Sequence, residues 1–292
     1  MTPGVRAPRS KGPAAWLTAG IAALLAAAVF APTLAWMLES WRVHPYYSHG
    51  FLLPPVAGWL AWRAWKPGGP PLHPPLTGSD AGLAVIALGI GVHAAAVRYA
   101  AYPVSAVGLL IVLLGVALLL GGQRGARAAA FPLVVLALSI PVPMVERLAP
   151  PLAAGVAHAA AGAVAAAGVA VDQAGAQLTV GDGAFIVGAP CSGLRSLVAL
   201  GTVAIVFAGV VSGPPQRRML LAALALPLAL TANWARLAGL LLVADSYGTD
   251  RGLQLFHSLS GPVPYFLALA ALVAAARALG CDVLRAIGAD DD

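Results

Sequence analysis

Apolar residues in this chain gather into runs of about 15 to 25 positions, the length a helix needs to cross a hydrocarbon core ~30 Å thick. Eight such runs stand out: Ala14 to Met37, Phe51 to Trp65, Ala81 to Val97, Val104 to Leu120, Ala128 to Val142, Leu194 to Val211, Met219 to Val243 and Val263 to Leu279. Several are short for a full crossing. The first follows Arg6, Arg9 and Lys11, and its apolar length exceeds that of a signal-peptide core, so it reads as a retained helix. One further stretch, Leu148 to Val171, is rich in Ala and Gly and is expected to lie along the outer interface or to pack within the bundle.

The segments between these runs are short. Lys66 to Asp80 carries Pro67, Pro70, Pro71, Pro74 and Pro75 and reads as a cytoplasmic connector. Val169 to Val187 alternates differently: two β-prone runs flank Gly181-Asp182-Gly183, the pattern of a small hairpin. The expected fold is therefore an all-α polytopic membrane protein with about eight transmembrane helices and a small extracytoplasmic β-hairpin ahead of the helix that follows Cys191. It forms a single integral membrane domain over 1–292, with a cytoplasmic loop at 66–80, an extracytoplasmic or interfacial segment at 143–190 and a cytoplasmic tail at 281–292. No internal repeat is visible.

Composition agrees. Of 292 residues, 60% are hydrophobic and 10% charged, with a mean hydropathy of +0.86, whereas about a quarter of an ordinary soluble chain is charged. The net charge of +6 does not imply nucleic acid, because the basic residues stand in ones and twos between apolar runs. Topology accounts for them. With the N-terminus inside, Arg6, Arg9, Lys11, Arg63, Lys66, Arg124, Arg127, Arg217, Arg218, Arg277 and Arg285 lie in the cytoplasm, and Arg42, Arg98, Arg147 and Arg251 outside, eleven against four. Were Leu148 to Val171 to cross, the ratio would fall to eight against seven. The expected location is a prokaryotic cytoplasmic membrane, with both termini inside.

Chemistry is sought in polar residues within or at the rim of the spans, where an unpaired charge costs at least ~2.5 kcal/mol. Cys191, in Pro190-Cys191-Ser192-Gly193-Leu194-Arg195, opens the sixth run, where free backbone N–H groups and the helix dipole favour a thiolate. Arg195 lies one turn on, and Arg236 and Asn233 share a face of the seventh run. His257 stands in the short segment before the last run, and His49 in the first outer loop. All are expected at the outer rim.

Each has a plainer alternative. Cys191 is otherwise a small buried filler, as Cys281 is expected to be. Arg236 is otherwise a structural pair with Asp245 or Asn233, and Arg195 a snorkelling interfacial residue. His257 otherwise packs at the interface. His49 is the competing base or a substrate-groove residue. His44, His73, His93 and His158 read as structural, and Trp59, Trp62 and Trp65 as anchors at the cytoplasmic interface. No zinc-ligand spacing or phosphate-binding loop occurs, so no metal and no cofactor is expected.

Three blocks of this sequence, Cys191-Ser192-Gly193, Asn233-Trp234-Ala235-Arg236 and His257, in this order and each at the edge of or inside a late span, resemble those of the exosortase and archaeosortase family of membrane-embedded cysteine transpeptidases. Tyr47-Ser48-His49-Gly50-Phe51 and Ile140-Pro141-Val142-Pro143 support the likeness. The resemblance implies cleavage of C-terminal sorting signals on secreted proteins: a short motif such as Pro-Glu-Pro, a membrane helix and a basic end. Cys191 would then be the nucleophile, His257 the proton carrier, and Arg236 a stabiliser of thiolate or oxyanion or the holder of an acidic recognition residue. Arg195, Asn233, Ser192, Gly193 and His49 would support the site or the substrate. The expected partners are membrane-anchored protein substrates and the bilayer. The competing class is a non-enzymatic transporter or surface-polysaccharide assembly factor, which should carry midplane polar groups on broken helices in matching halves.

Overall fold

The structure is a computed structural model and describes residues 25–65, 80–181, 183–188, 192–248 and 262–281. Cys191, His257, His73 and the proline-rich connector lie outside the described residues. The helices are α1 (Ala31–Val43), α2 (Leu53–Ala64), α3 (Asp80–Arg98), α4 (Tyr102–Ala137), α5 (Ala149–Ala166), α6 (Leu194–Val210), α7 (Pro215–Tyr247) and α8 (Pro262–Ala278). Among the described residues, four helical segments are long and apolar enough to cross a membrane: Asp80–Arg98, Tyr102–Ala137, Val145–Ala166 and Pro215–Tyr247. Leu194–Val210 and Val263–Ala278 are shorter apolar helices.

The chain divides into two compact units. The first comprises Met1–Ser40 and Leu60–Leu133. Within it, α3 and α4 meet through glycines seven residues apart on each helix. A Cβ at Gly82 would lie 2.9 Å from the Leu119 backbone, at Gly89 2.8 Å from the Gly108 carbonyl, and at Gly115 2.8 Å from the Ile86 nitrogen. In a bilayer, where apolar burial gives helices little reason to associate, such close backbone approach lets dispersion do so. A buried polar chain accompanies it: Ser105 on α4 bonds both Thr33 of α1 and His93 Nδ1 of α3, the latter at 2.7 Å. The Phe30 ring lies 4.1 Å from that of His93. His93 is thus a satisfied structural histidine. At Gly122 (φ 57°, ψ −150°) the helical path of α4 breaks, which separates the fourth and fifth apolar runs without an intervening loop.

The second unit comprises Trp41–Trp59 and Val134–Asp292. Its spine is α7, whose 33 residues extend about 50 Å at ~1.5 Å per residue, longer than a bilayer core. Two clusters divide that length. Ala225 and Ala229 in its first half pack with Leu200, Ala204 and Ala208 of α6 and Ala268, Leu272 and Ala276 of α8. Cys281 joins this cluster, 3% exposed, as the filler expected from sequence. Leu237, Leu241 and Ala244 in its second half pack with Ala153, Val156, Ala157, Ala160, Ala161 and Val164 of α5 and with the sheet. Alanine seams on all four helices permit this close approach.

Most of the stretch Leu148 to Val171 is therefore the packed helix α5. It qualifies by length and composition as a span, yet its partners on α7 belong to the second half of that helix. The hairpin expected at Val169 to Val187 is a three-stranded antiparallel meander: β1 (Val171–Ala174), β2 (Gln177–Val180) and β3 (Gly183–Ile186). Gly175, at φ 61°, folds the first β-prone run back on itself, a turn the sequence reading passed over. Leu178 pairs with Phe185 in register, and both, with Val180, point into the α5–α7 cluster.

Candidate functional site

The site forms where the two clusters on α7 meet. Gly193 precedes α6 with a left-handed φ of 81°, a conformation costly for any residue with a Cβ. That missing Cβ is also where Asn233 sits, because an added carbon would lie 2.7 Å from Asn233 Nδ2. Asn233 is 3% exposed and Ser192 fully buried. The Ser192 hydroxyl accepts the Leu194 N–H at 3.3 Å and so satisfies one of the free donors at the start of α6. Two motifs some forty residues apart are thus one contact.

One turn further along each helix, Arg195 and Arg236 line a single cavity of about 610 Å³ together with Asn233, Ser196, Ser48, Pro264 and Tyr265. Arg195 is exposed to it and Arg236 half-buried. Among the described residues neither guanidinium has a hydrogen-bond or ion-pair partner, and no carboxylate stands in the wall. The pairing of Arg236 with Asp245 that the sequence allowed is not formed. Against this cavity runs a second, apolar groove of about 780 Å³ between α7 and α8. Thr231, Ala235, Gly239 and Val243 line one side, Val263, Leu267 and Ala271 the other. The two share Ala232, Arg236, Pro264 and Ala268.

Residues 41–274 match the family model described as transmembrane exosortase (Exosortase_EpsH). This chain belongs to the transmembrane exosortase family. Every described residue that lines the cavity falls inside the matched region. No curated protein and no solved structure matches the chain. Together with the apolar helices, family membership makes it a multi-pass membrane protein with an exosortase-like role.

In this member of the family the loop before α2 carries Ser48 to the cavity wall and is held there by four side chains. Trp41 Nε1 donates to the Ser139 carbonyl at 2.7 Å. The Tyr47 hydroxyl donates to the Val142 carbonyl at 2.9 Å and accepts the Val142 N–H at 3.0 Å. His44 lies 3.0 Å from Glu146. His49 Nε2 lies 3.4 Å from the Thr202 hydroxyl of α6, and its ring also bonds the Leu138 carbonyl. Gly50 packs against the Trp41 indole, which occupies the place a Cβ would take. The Tyr-Ser-His-Gly and Ile-Pro-Val-Pro stretches are thus two halves of one clasp.

Burial lowers the His49 pKa below its ordinary value, and the Leu138 bond partly opposes this. Burial raises that of Tyr47, with Glu146 adding to the rise and the Val142 bond opposing it, so the phenol keeps the proton it donates. His158 is an exposed partner of Gln173. Sequence reasoning missed Ser48, Ser196, Pro264 and Tyr265 as wall residues. Ser48 lay inside a noted motif, but a tyrosine near a span end reads first as an interfacial anchor.

Proposed function

We propose that this chain is a cysteine peptidase or transpeptidase that cuts C-terminal sorting signals at the extracytoplasmic face. The observation that carries the reading is the convergence of Arg195, Asn233 and Arg236 on one cavity at the start of α6, with Gly193 packed against Asn233. In the sequence Cys191 directly precedes Ser192, which is buried just ahead of α6. In the proposed cycle the Cys191 thiol gives its proton to His257, and the sulfur attacks the scissile carbonyl. The C–N bond breaks, the leaving amine takes the proton, and a thioester remains for water or an amine acceptor. Arg236 faces the developing oxyanion as a permanent cation.

His49 serves this scheme as a clasp residue rather than the base, because its ring is already engaged by Thr202 and Leu138. The apolar α7–α8 groove, continuous with the cavity at Arg236, suits a substrate whose cut motif is followed by a membrane helix. The packing of α5 and the sheet on the second half of α7 favours both on the outer side, with Arg217 and Arg218 inside, in keeping with the positive-inside bias.

The test is a reporter with a motif, membrane helix and basic end, followed in membranes holding the full chain. Cys191-dependent shortening of its tail is expected. Shortening that persists in Cys191→Ser removes the thiol from the mechanism, and none in the wild type across a motif library removes the peptidase reading.

A further inference from the structure

Strand β3 leaves its outer edge open. In an antiparallel ladder every second residue pair exchanges hydrogen bonds. Val187 donates to the Ala176 carbonyl at 2.9 Å, and the register of Leu178 with Phe185 and Val180 with Gly183 then turns the backbone groups of Gly183, Phe185 and Val187 towards β2. Those of Ala184 and Ile186 point the other way. The Ile186 carbonyl takes the Gly188 N–H at 2.9 Å. The N–H groups of Ala184 and Ile186 and the Ala184 carbonyl have no hydrogen-bond partner among the described residues. Both residues are exposed, Ile186 at 77%.

Sheet edges are ordinarily defended by charge, proline or a bulge. β3 reads Gly-Ala-Phe-Ile in unbroken register with β2 and has none of the three. At the opposite edge β1 carries Asp172 and is tied to α5 by the bond of Gln173 to His158. The buried side of β3 fixes where its open edge lies. Phe185 and Val187 share a cluster with Leu237 and the partly buried Trp234, which stand either side of Arg236 on α7, and Arg236 lines the cavity. From Gly188 the chain reaches Ser192, just ahead of α6, in four residues, a span of at most about 14 Å.

We propose that β3 takes the extended stretch of substrate just N-terminal to the cut motif as a fourth strand, and so delivers the scissile bond to the cavity. This rests on the peptidase reading above. The occupant follows from the course of β3, which leads from Gly183 towards the start of α6: a chain laid along that edge arrives at the cavity with its membrane helix still to follow. In strand addition the main chain supplies affinity, and side chains are read only at alternate positions. Ile186, exposed on the outer face, offers an apolar neighbour to one of them.

The experiment uses membranes holding the full chain and synthetic reporters in which one residue at a time upstream of the motif carries an N-methyl group. Only alternate residues of an added strand turn their N–H towards β3. Cutting by the wild type should therefore fall about fivefold at every second position, chiefly through KM, and change less than about twofold between them. Ala184→Pro removes one outward N–H and no ladder bond. It should slow the parent reporter about fivefold without altering the melt, and deleting the upstream stretch as well should cost no more than either change alone. A flat N-methyl scan on the wild type overturns the proposal, and that scan decides the matter should Ala184→Pro fail to fold. It is overturned equally if Ala184→Pro splits a dimer of the purified chain into monomers, the result expected of an edge that pairs with a second copy. In both cases Cys191-dependent cutting of the parent reporter leaves the peptidase reading standing. If Cys191→Ser cuts normally, that reading fails and the proposal fails with it.

Discussion

Gly193 carries two constraints at once, a left-handed φ and contact with Asn233. Gly193→Ala should therefore lower reporter shortening at least tenfold and reduce thermal stability in detergent by about 1–3 kcal/mol, since neither the strained backbone nor the buried amide has room to adjust. Tyr47→Phe deletes a hydroxyl that both gives and takes a hydrogen bond with Val142, leaving that partly exposed peptide to water. A loss of about 0.5–1.5 kcal/mol in the same melt is expected. At His49 burial holds the folded-state pKa below the ordinary 6.5, so folding favours the neutral ring. The stability this confers is complete above about pH 6.5 and declines as the pH falls towards the lowered folded value. The melting temperature should drop on acidification from pH 7.5 to 5.5, and His49→Gln should flatten part of that slope. An unchanged slope would mean that the ring is not what titrates.

Among the elements, α3 and α4 depend on absent side chains, and Gly89 and Gly91 provide a matched pair. A Cβ at Gly89 meets the Gly108 carbonyl at 2.8 Å, whereas one at Gly91 meets nothing within 4 Å. Gly89→Ala should lower the melting temperature through overpacking, and Gly91→Ala should leave it unchanged or raise it through helix propensity. Comparing the two in one detergent separates packing from propensity. The α7–α8 groove is tested similarly. Ala235 is exposed in it, so Ala235→Trp should fill the groove and slow reporter shortening without altering the melt.

At the scale of the whole molecule, the two clusters on α7 are expected on opposite sides of the membrane. In a Cys191→Ser, Cys281→Ala background, an impermeant thiol reagent applied to intact cells should label Glu146→Cys and Gln173→Cys, and Arg217→Cys only after permeabilisation. Labelling Glu146→Cys and Gln173→Cys on opposite sides would make α5 a crossing helix. The sequence by itself determined that the chain is a multi-pass membrane protein, where most helices lie, and which residues to watch. Apolar run length, the energetic cost of charge in hydrocarbon and the order of three motifs are all local properties. The third strand was not legible, because a lone Gly175 within a polar run carries little signal until its neighbours pair. Nor was the packing of Leu148 to Val171, since an apolar helix can face lipid or protein, and only its seam with α7 shows that it is packed. The contact of Gly193 with Asn233, the shared cavity of Arg195 and Arg236, and the clasp of Tyr47 on Val142 belong to tertiary structure alone. Each joins positions tens of residues apart, and their meeting depends on helix crossings that no periodicity along a single segment encodes.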